Sequence, residues 1–528
     1  MNMHTDPGTS PRKRYGMVFD MDACVGCQTC TIACKQTNQT TPGILWRNVL
    51  DLEVGEYPQV DRTFLLTGCQ HCDNPPCVPV CPTGATYQRD DGLVVIDEDI
   101  CIGCSSCVVA CPYQARKIDK NPPAYYPGER MPTEQRPVQL RRVGVAQKCS
   151  FCKDRVDDGL ARGLVPGVDP DATAACANAC ISQAITFGDL ADPASPVSRK
   201  LAASQGGRQM HDHLGTNPHI FYIGERRAND MRPGPLQSSW DIRAAMNFIC
   251  GGMSSALFVW AWLAHVLFDL PHPVLRWLDM LAAVLMATGL FFVFLKLGRK
   301  LRFWRVITRW QTSWMTRETW CVALIYASLF VSWAWPGQLW DALVAVGGAG
   351  FLWCQGRILH ASRGIPAWRH DAVPALLTLT GLLEGAGWMT LVLVLLLTAG
   401  MPLGEAASPT ALFQACGATL ALCGGAMAML WPRYVREVSE ETAGRLESMS
   451  RWLGPAGHWP AVLVGLWLMV DPAHPLALGA ALLVSVAVVT TGALLKFQLV
   501  VRAAHFQGTR IPSGPGRTWK NAPTAMNP

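Results

Sequence analysis

Sixteen of the chain's 21 cysteines fall in four tight groups before about residue 240, and their spacing limits what that part of the chain can fold around. The groups are Cys24, Cys27, Cys30 and Cys34; Cys69, Cys72, Cys77 and Cys81; Cys101, Cys104, Cys107 and Cys111; and Cys149, Cys152, Cys176 and Cys180. The first and third follow Cys-x-x-Cys-x-x-Cys-x-x-x-Cys, the second lengthens the middle gap, and the fourth carries a 23-residue insert there. Thiolates at i, i+3 and i+6 of a turning backbone face one concavity, which suits three iron corners of a cubane 4Fe–4S cluster. Zinc sites instead take two cysteine pairs. Disulfides are disfavoured in a reducing cytoplasm, where the lack of an apolar export segment beside Arg12, Lys13 and Arg14 places the chain. Those three residues read as a solvated tail.

In bacterial ferredoxin runs the fourth cysteine ligates the neighbouring cluster. Crossed pairing therefore assigns Cys69, Cys72, Cys77 and Cys111 to one cluster, and Cys101, Cys104, Cys107 and Cys81 to its partner. The same logic gives Cys24, Cys27, Cys30 with Cys180, and Cys149, Cys152, Cys176 with Cys34, although spacing alone leaves adjacent pairing open for these two groups. Gly26, Gly103 and Pro75-Pro76 are turn residues where the backbone wraps a cluster. The β-rich run Gly92 to Asp97 predicts a strand leading into the third group. No catalytic acid–base constellation accompanies the cysteines, so this half is expected to move electrons rather than make or break substrate bonds.

The remainder has a different character. The chain as a whole is 50% hydrophobic and only 16% charged, against roughly 25% charged in an ordinary soluble domain. Eight apolar runs are long enough to cross a bilayer: 245–268, 275–297, 318–335, 338–359, 373–399, 409–431, 453–470 and 475–500. The fold class expected is an α+β double-ferredoxin-like iron–sulfur domain over 1–240, an all-α membrane anchor of eight helices over 241–505, and a cytoplasmic tail over 506–528. The net charge of +6 comes largely from loops between the apolar runs, which argues against nucleic-acid binding. Those basic residues, Arg299 to Arg317, Arg363 and Arg369, and Arg433 to Arg451, alternate with loops offering only Arg276. The bias predicts an inner-membrane protein with the basic loops, both termini and the cluster domain on the cytoplasmic side.

His265, His360, His458 and His505 all fall at or near helix ends, so a haem-free anchor is expected. Quinone is the natural lipid-soluble partner for one-electron clusters. Candidate contacts gather at the cytoplasmic ends of the helices: Lys296, Trp314, Arg317, Glu318, Arg357 and His360. Plain interfacial roles compete for each: snorkelling for Lys296, Arg317 and Arg357, a belt position for Trp314 and His360, and a cap or ion pair for Glu318. Glu384 differs, because it falls roughly 17 Å into its helix, near the bilayer midplane, where an ionisable group is costly. Cys250, Cys321, Cys354, Cys416 and Cys423 are isolated on apolar helices and read as small packing residues.

These features resemble a known pair of subunits joined end to end. Residues 14–225 resemble the four-cluster subunit of dimethyl sulfoxide reductase-type molybdoenzymes, through the cysteine groups, Lys148-Cys-Ser-Phe-Cys152 with Arg155, and Gly215-Thr-Asn-Pro-His-Ile-Phe-Tyr222. Residues 241–505 resemble the family's eight-helix anchor, through Leu295-Lys-Leu-Gly298, Thr312-Ser-Trp-Met-Thr-Arg-Glu318 and Ile365-Pro-Ala-Trp368. The resemblance implies four 4Fe–4S clusters, because Cys104 is present where a relative with a three-iron cluster lacks it. It also implies a separate catalytic subunit carrying molybdenum bis-pterin guanine dinucleotide, wired by this chain to the quinone pool. The chain departs from the pattern at Ile181, where a proline usually follows the cysteine, and at Lys296, where some relatives have a histidine linked to quinol binding. Electron flow towards an S- or N-oxide, flow from sulfite towards quinone, and service to a non-molybdenum partner are the readings left open.

Overall fold

The computed structural model describes residues 12–204, 206–224, 234–400, 408–509 and 511. It divides into two compact units. One comprises the chain to Pro235 together with the segment from Phe506, and the other is Leu236–His505. The segment expected to begin a separate tail thus belongs to the first unit. There Gln114 donates to the Gln507 carbonyl at 3.0 Å.

The first unit is built from short strands that hand the chain from one cysteine group to another. Strand β1 (Tyr15–Asp20) lies at the centre of a three-stranded sheet. Its neighbours are β6 (Ile185–Asp189), antiparallel, and β7 (Ile220–Ile223), parallel. β2 (Arg47–Glu56) and β3 (Gln59–Gly68) form a long hairpin. β4 (Thr86–Gln88) pairs antiparallel with β5 (Val94–Ile96), the strand expected within Gly92 to Asp97. Four short helices follow or carry cysteines, α1 (Thr29–Asn38), α2 (Ser106–Ala110), α4 (Lys153–Ala161) and α5 (Ala175–Asn178), and two more, α3 (Pro137–Arg142) and α6 (Pro196–Ala203), lie away from them in sequence. Arg14 is held rather than solvated: its backbone N–H donates to Asp189 at 2.7 Å and its guanidinium to the Asp90 carbonyl at 2.6 Å.

The second unit is helical. Its helices are α7 (Ile242–Phe268), α8 (His272–Lys296), α9 (Trp314–Ala334), α10 (Gln338–Ala361), α11 (Ala372–Thr398), α12 (Pro409–Glu437), α13 (Glu440–Leu453), α14 (Trp459–Val470) and α15 (Pro475–Phe497). α13 and α14 form one continuous run through a widened turn at Gly454–His458. That turn absorbs Pro455 and Pro460, which an unbroken α-helix would not accommodate without a kink. Seven of these helical runs are long and apolar enough to cross a membrane. The run expected over 318–335 forms as α9 but is not one of the seven. Thr316, Arg317, Glu318 and Thr319, with three tryptophans, lower its apolar content. α7 packs on α8, α10 and α11, while α11 also contacts α12 and α15, and α9 lies along α10. The outer faces are apolar as well. On α8, Trp277, Val284 and Phe291 are exposed at a spacing of seven residues, the pattern of a helix whose solvent on that side is hydrocarbon rather than water.

Candidate functional site

The strand pairings explain how distant cysteines meet. In the β4–β5 pair Thr86 faces Ile96, so Cys81, just before β4, and Cys101, just after β5, leave the same end of one ladder. Phe19 faces Ile185, and Cys24 and Cys180 stand in the same relation to β1 and β6. The turns that follow need left-handed backbone. Gly26 has φ +71°, and a Cβ there would lie 2.3 Å from the Phe64 ring. Gln28 and Ser105 open α1 and α2 with φ near 61° and 68°.

Around these turns the cysteines gather in sets. One cavity is lined by Cys69, Cys72, Cys77 and Cys111, with Pro75, Pro76 and Arg116. A second is lined by Cys24, Cys27, Cys30 and Cys180. The sulfurs of Cys149, Cys176 and Cys152 act on Cys34, and those of Cys81 and Cys104 on Cys107. Fifteen of the sixteen sit in buried or half-buried surroundings, Cys27 being the exposed one. Burial pushes the Cys107 thiol up to about 11 and the Cys101, Cys111 and Cys176 thiols up to about 12. Four buried sulfurs facing one small space are an unfavourable arrangement for free thiolates. Coordination to positive iron relieves that repulsion.

The structure adds buried cations: Arg116 and Arg47, which the sequence reading does not pick out, and Lys148, which it names only within a motif. Arg116 Nη2 donates to Cys77 Sγ at 3.0 Å, and Nη1 to Thr86 Oγ1 at 3.0 Å. Arg47 Nη2 lies 3.5 Å from Cys149 Sγ. Burial pulls both guanidinium pKa values down, but the surrounding sulfurs outweigh it and hold them charged: Cys77, Cys107, Cys69 and Cys111 for Arg116, and Cys149, Cys176 and Cys34 for Arg47. Lys148 donates to the carbonyls of Val94 and Cys149, and burial pushes its pKa down. Among the described residues, Nε and Nη1 of the fully buried Arg47 find no acceptor. Such donors fit a sulfide-bearing anionic cluster, as do the backbone N–H groups of Thr86, Phe151 and Ala175, each 3.4–3.5 Å from a cysteine sulfur.

In the helical unit the predicted residues are spread over several places. Trp314, Arg317 and Arg357 come together, both guanidiniums stacking on the indole with their carbons 4.2 and 5.0 Å from the ring centroid. Lys296 is buried, its ammonium 4.5 Å from the Trp240 ring centroid. His360, one turn beyond Arg357 on α10, is in a 3.3 Å contact with Asp371. Glu318 is buried and accepts from Asn247 Nδ2 at 3.2 Å, and the Asn247 carbonyl accepts from Gln355 at 2.8 Å. Glu384 lies deeper, paired with Lys496, both side chains fully buried. Lys496 is absent from the sequence-based set because it falls near the end of the last apolar run, where lysines ordinarily snorkel. A Cβ at Gly252 would meet the Lys496 ammonium at 2.3 Å and Gln355 Oε1 at 3.2 Å. The bundle interior therefore holds a polar row from Glu384 and Lys496, past Gln355 and Asn247, to Glu318.

The cysteine-lined unit and the apolar helical unit together define an iron–sulfur electron-transfer protein with a fused anchor. Comparison with known proteins gives the family. A 4Fe–4S dicluster domain model matches residues 60–124. A Halobacterium salinarum protein named for the iron–sulfur subunit of dimethyl sulfoxide reductase is 41% identical over 42% of this chain and 81% of its own length. A tetrathionate reductase subunit of Salmonella typhimurium is 38% identical over 41% of this chain and 74% of its own. A sulfite dehydrogenase subunit of Allochromatium vinosum is 34% identical over 40% and 84%. The chain belongs to the family of iron–sulfur subunits of dimethyl sulfoxide reductase-type molybdoenzymes, and the similarity to these relatives is confined to its N-terminal 40% or so.

Proposed function

We propose that this protein relays electrons between a molybdopterin-containing catalytic subunit and the membrane quinone pool. Four 4Fe–4S clusters would be held by Cys69, Cys72, Cys77 and Cys111; by Cys101, Cys104, Cys107 and Cys81; by Cys24, Cys27, Cys30 and Cys180; and by Cys149, Cys152, Cys176 and Cys34. The single observation that carries this reading is the meeting of cysteines from different sequence groups around shared cavities, one of them lined by the buried Arg116. Each cluster takes one electron at a time. A quinol releases two electrons and two protons on oxidation to quinone, so its site needs both a route to a cluster and groups that accept protons. The Trp314–Arg317–Arg357 stack offers a flat aromatic surface with cationic donors for quinone oxygens. Glu318 and the row leading to Glu384 offer proton-carrying groups behind it. The cluster unit and basic loops are read as cytoplasmic, from the charge bias of the loops.

The oxidative direction is the second reading, favoured by the similarity to the subunit named for sulfite dehydrogenase. In that case the same relay runs from the catalytic subunit to quinone. The test is to purify the tagged full chain from its native membrane and determine its partner and metals. A large co-purifying subunit with stoichiometric molybdenum, and about 16 irons per chain from four cubane clusters, is expected. A stable iron-loaded preparation with no molybdenum subunit would sink the reading.

A further inference from the structure

At the end of the helical unit opposite the basic loops, three metal-ligating side chains converge from three helices. His265 is on the last turn of α7, His272 is the first residue of α8, and Asp341 is on the first turn of α10. One ligand atom from each lies within 4.8 Å of the other two. We propose that His265, His272 and Asp341 form a binding site for a divalent first-row transition ion of the zinc type, separate from the cysteine clusters and independent of the proposed quinone relay.

The detailed arrangement favours an ion over a simple polar cluster. Nδ1 of His265 is 2.6 Å from the Leu270 carbonyl. That contact fixes the tautomer with hydrogen on Nδ1 and leaves Nε2 with its lone pair. A ligating imidazole is ordinarily oriented by such a contact behind it. Asp341 is 5% exposed, and its Oδ1 accepts from Ser332 at 2.6 Å. Among the described residues its Oδ2 is buried without a hydrogen-bond partner. An unpaired carboxylate oxygen in that position is costly, unless a cation supplies the missing charge. The His265 and His272 rings lie against one another, centroids 4.2 Å apart and 50° inclined, so one ion can take a nitrogen from each. Asp279, also 5% exposed, lies on α8 on the same side of the bundle, and its carboxyl and that of Asp341 act on one another. A bound divalent ion would offset both.

Two imidazoles and one carboxylate are borderline-soft N and O ligands, the set that zinc accepts with bonds of about 2.0–2.2 Å and a water in the fourth position. The three ligand atoms must draw together by about 1 Å to reach tetrahedral separations around bonds of that length. His272 is exposed and opens α8, so it has room to move. The physical consequence is a clamp: one ion would tie the α7–α8 turn to the start of α10.

The test uses the full chain with its iron–sulfur clusters intact. The protein is stripped with chelator, equilibrated with micromolar zinc, desalted, and read for zinc per chain and for zinc-edge X-ray absorption. About one retained zinc is expected, with nitrogen and oxygen scatterers near 2.0–2.1 Å and no sulfur shell near 2.3 Å. His272→Ala changes an exposed residue and leaves the helices intact, and it should lower zinc retention at least five-fold. Asp341→Asn should do the same while keeping the Ser332 contact. Retention below about one-fifth of an equivalent in the unaltered protein would overturn the proposal. So would a sulfur shell, which would place the zinc on cluster cysteines, or equal retention in His272→Ala.

Discussion

At the scale of single residues, the informative positions are the cations beside the cysteines. Arg116 is fully buried, contacts Cys77 Sγ and is acted on by sulfurs of two cysteine sets. A positive charge roughly 6 Å from a cluster centre, at an effective dielectric near 20, stabilises an added electron by about 3 kcal/mol, or on the order of 100 mV. Arg116→Met keeps much of the packing and removes the charge and the N–H···S bond. We predict that the cluster held by Cys77 falls in potential by roughly 50–150 mV and that held by Cys107 by less, with the other two little changed, in an EPR-monitored redox titration. A titration indistinguishable from the unaltered protein would show that Arg116 is structural only. The cysteines are legible in the sequence because ligand chemistry fixes their spacing. Arg47 and Arg116 are not, since an arginine at the start of a strand or after a cysteine group reads as solvent-facing until the fold encloses it. The same holds for His265 and Asp341, which lie 76 positions apart in sequence and become neighbours only through helix packing.

At the scale of elements, α11 and α15 are joined by the buried Glu384–Lys496 pair. The pair fits because Gly492 has no side chain: a Cβ there would lie 2.4 Å from Glu384 Oε1. Removing one partner of a buried ion pair leaves the other uncompensated, at a cost of about 3–5 kcal/mol, whereas replacing both is often close to neutral. Glu384→Gln and Lys496→Met should therefore each lower the apparent melting temperature in detergent by roughly 10 °C. The combined variant should recover at least half of that loss. Additive losses would mean that the two side chains do not compensate one another in the folded protein. Half of this element-scale picture is visible beforehand. A glutamate in the middle of an apolar run stands out by hydropathy alone. Its lysine partner does not, because its position near a helix end supplies an ordinary explanation. The polar run of α13 and the widened turn before α14 are likewise obscured, since Pro455 and Pro460 signal a break rather than a continuous helix.

At the scale of the whole helical unit, the topology turns on α9, because its crossing of the membrane sets the side on which every later loop emerges. By composition it falls short, with Arg317 and Glu318 in its first turns. Geometry argues the other way. Its 21 residues span about 31 Å at 1.5 Å per residue, enough for the hydrocarbon core. It is joined to α10 by Trp335-Pro336-Gly337 and packs along it, so if α10 crosses, α9 runs back beside it. Charge gives the same answer. If α9 crosses, Arg299 to Arg317 and Arg363 to Arg369 share a side; if it does not, α10 alone separates them and the positive bias is split. Phosphatase fusions, active only when exported, and green fluorescent protein fusions, fluorescent only inside, distinguish the two. We predict that fusions after residues 308 and 365 behave alike and fluoresce, while those after 270 and 336 give phosphatase activity. Opposite behaviour at 308 and 365 would remove α9 from the membrane. It would also take the first turns of α9, with Trp314, Arg317 and Glu318, away from the row that ends at Glu384, and so undo the quinone site proposed to join them.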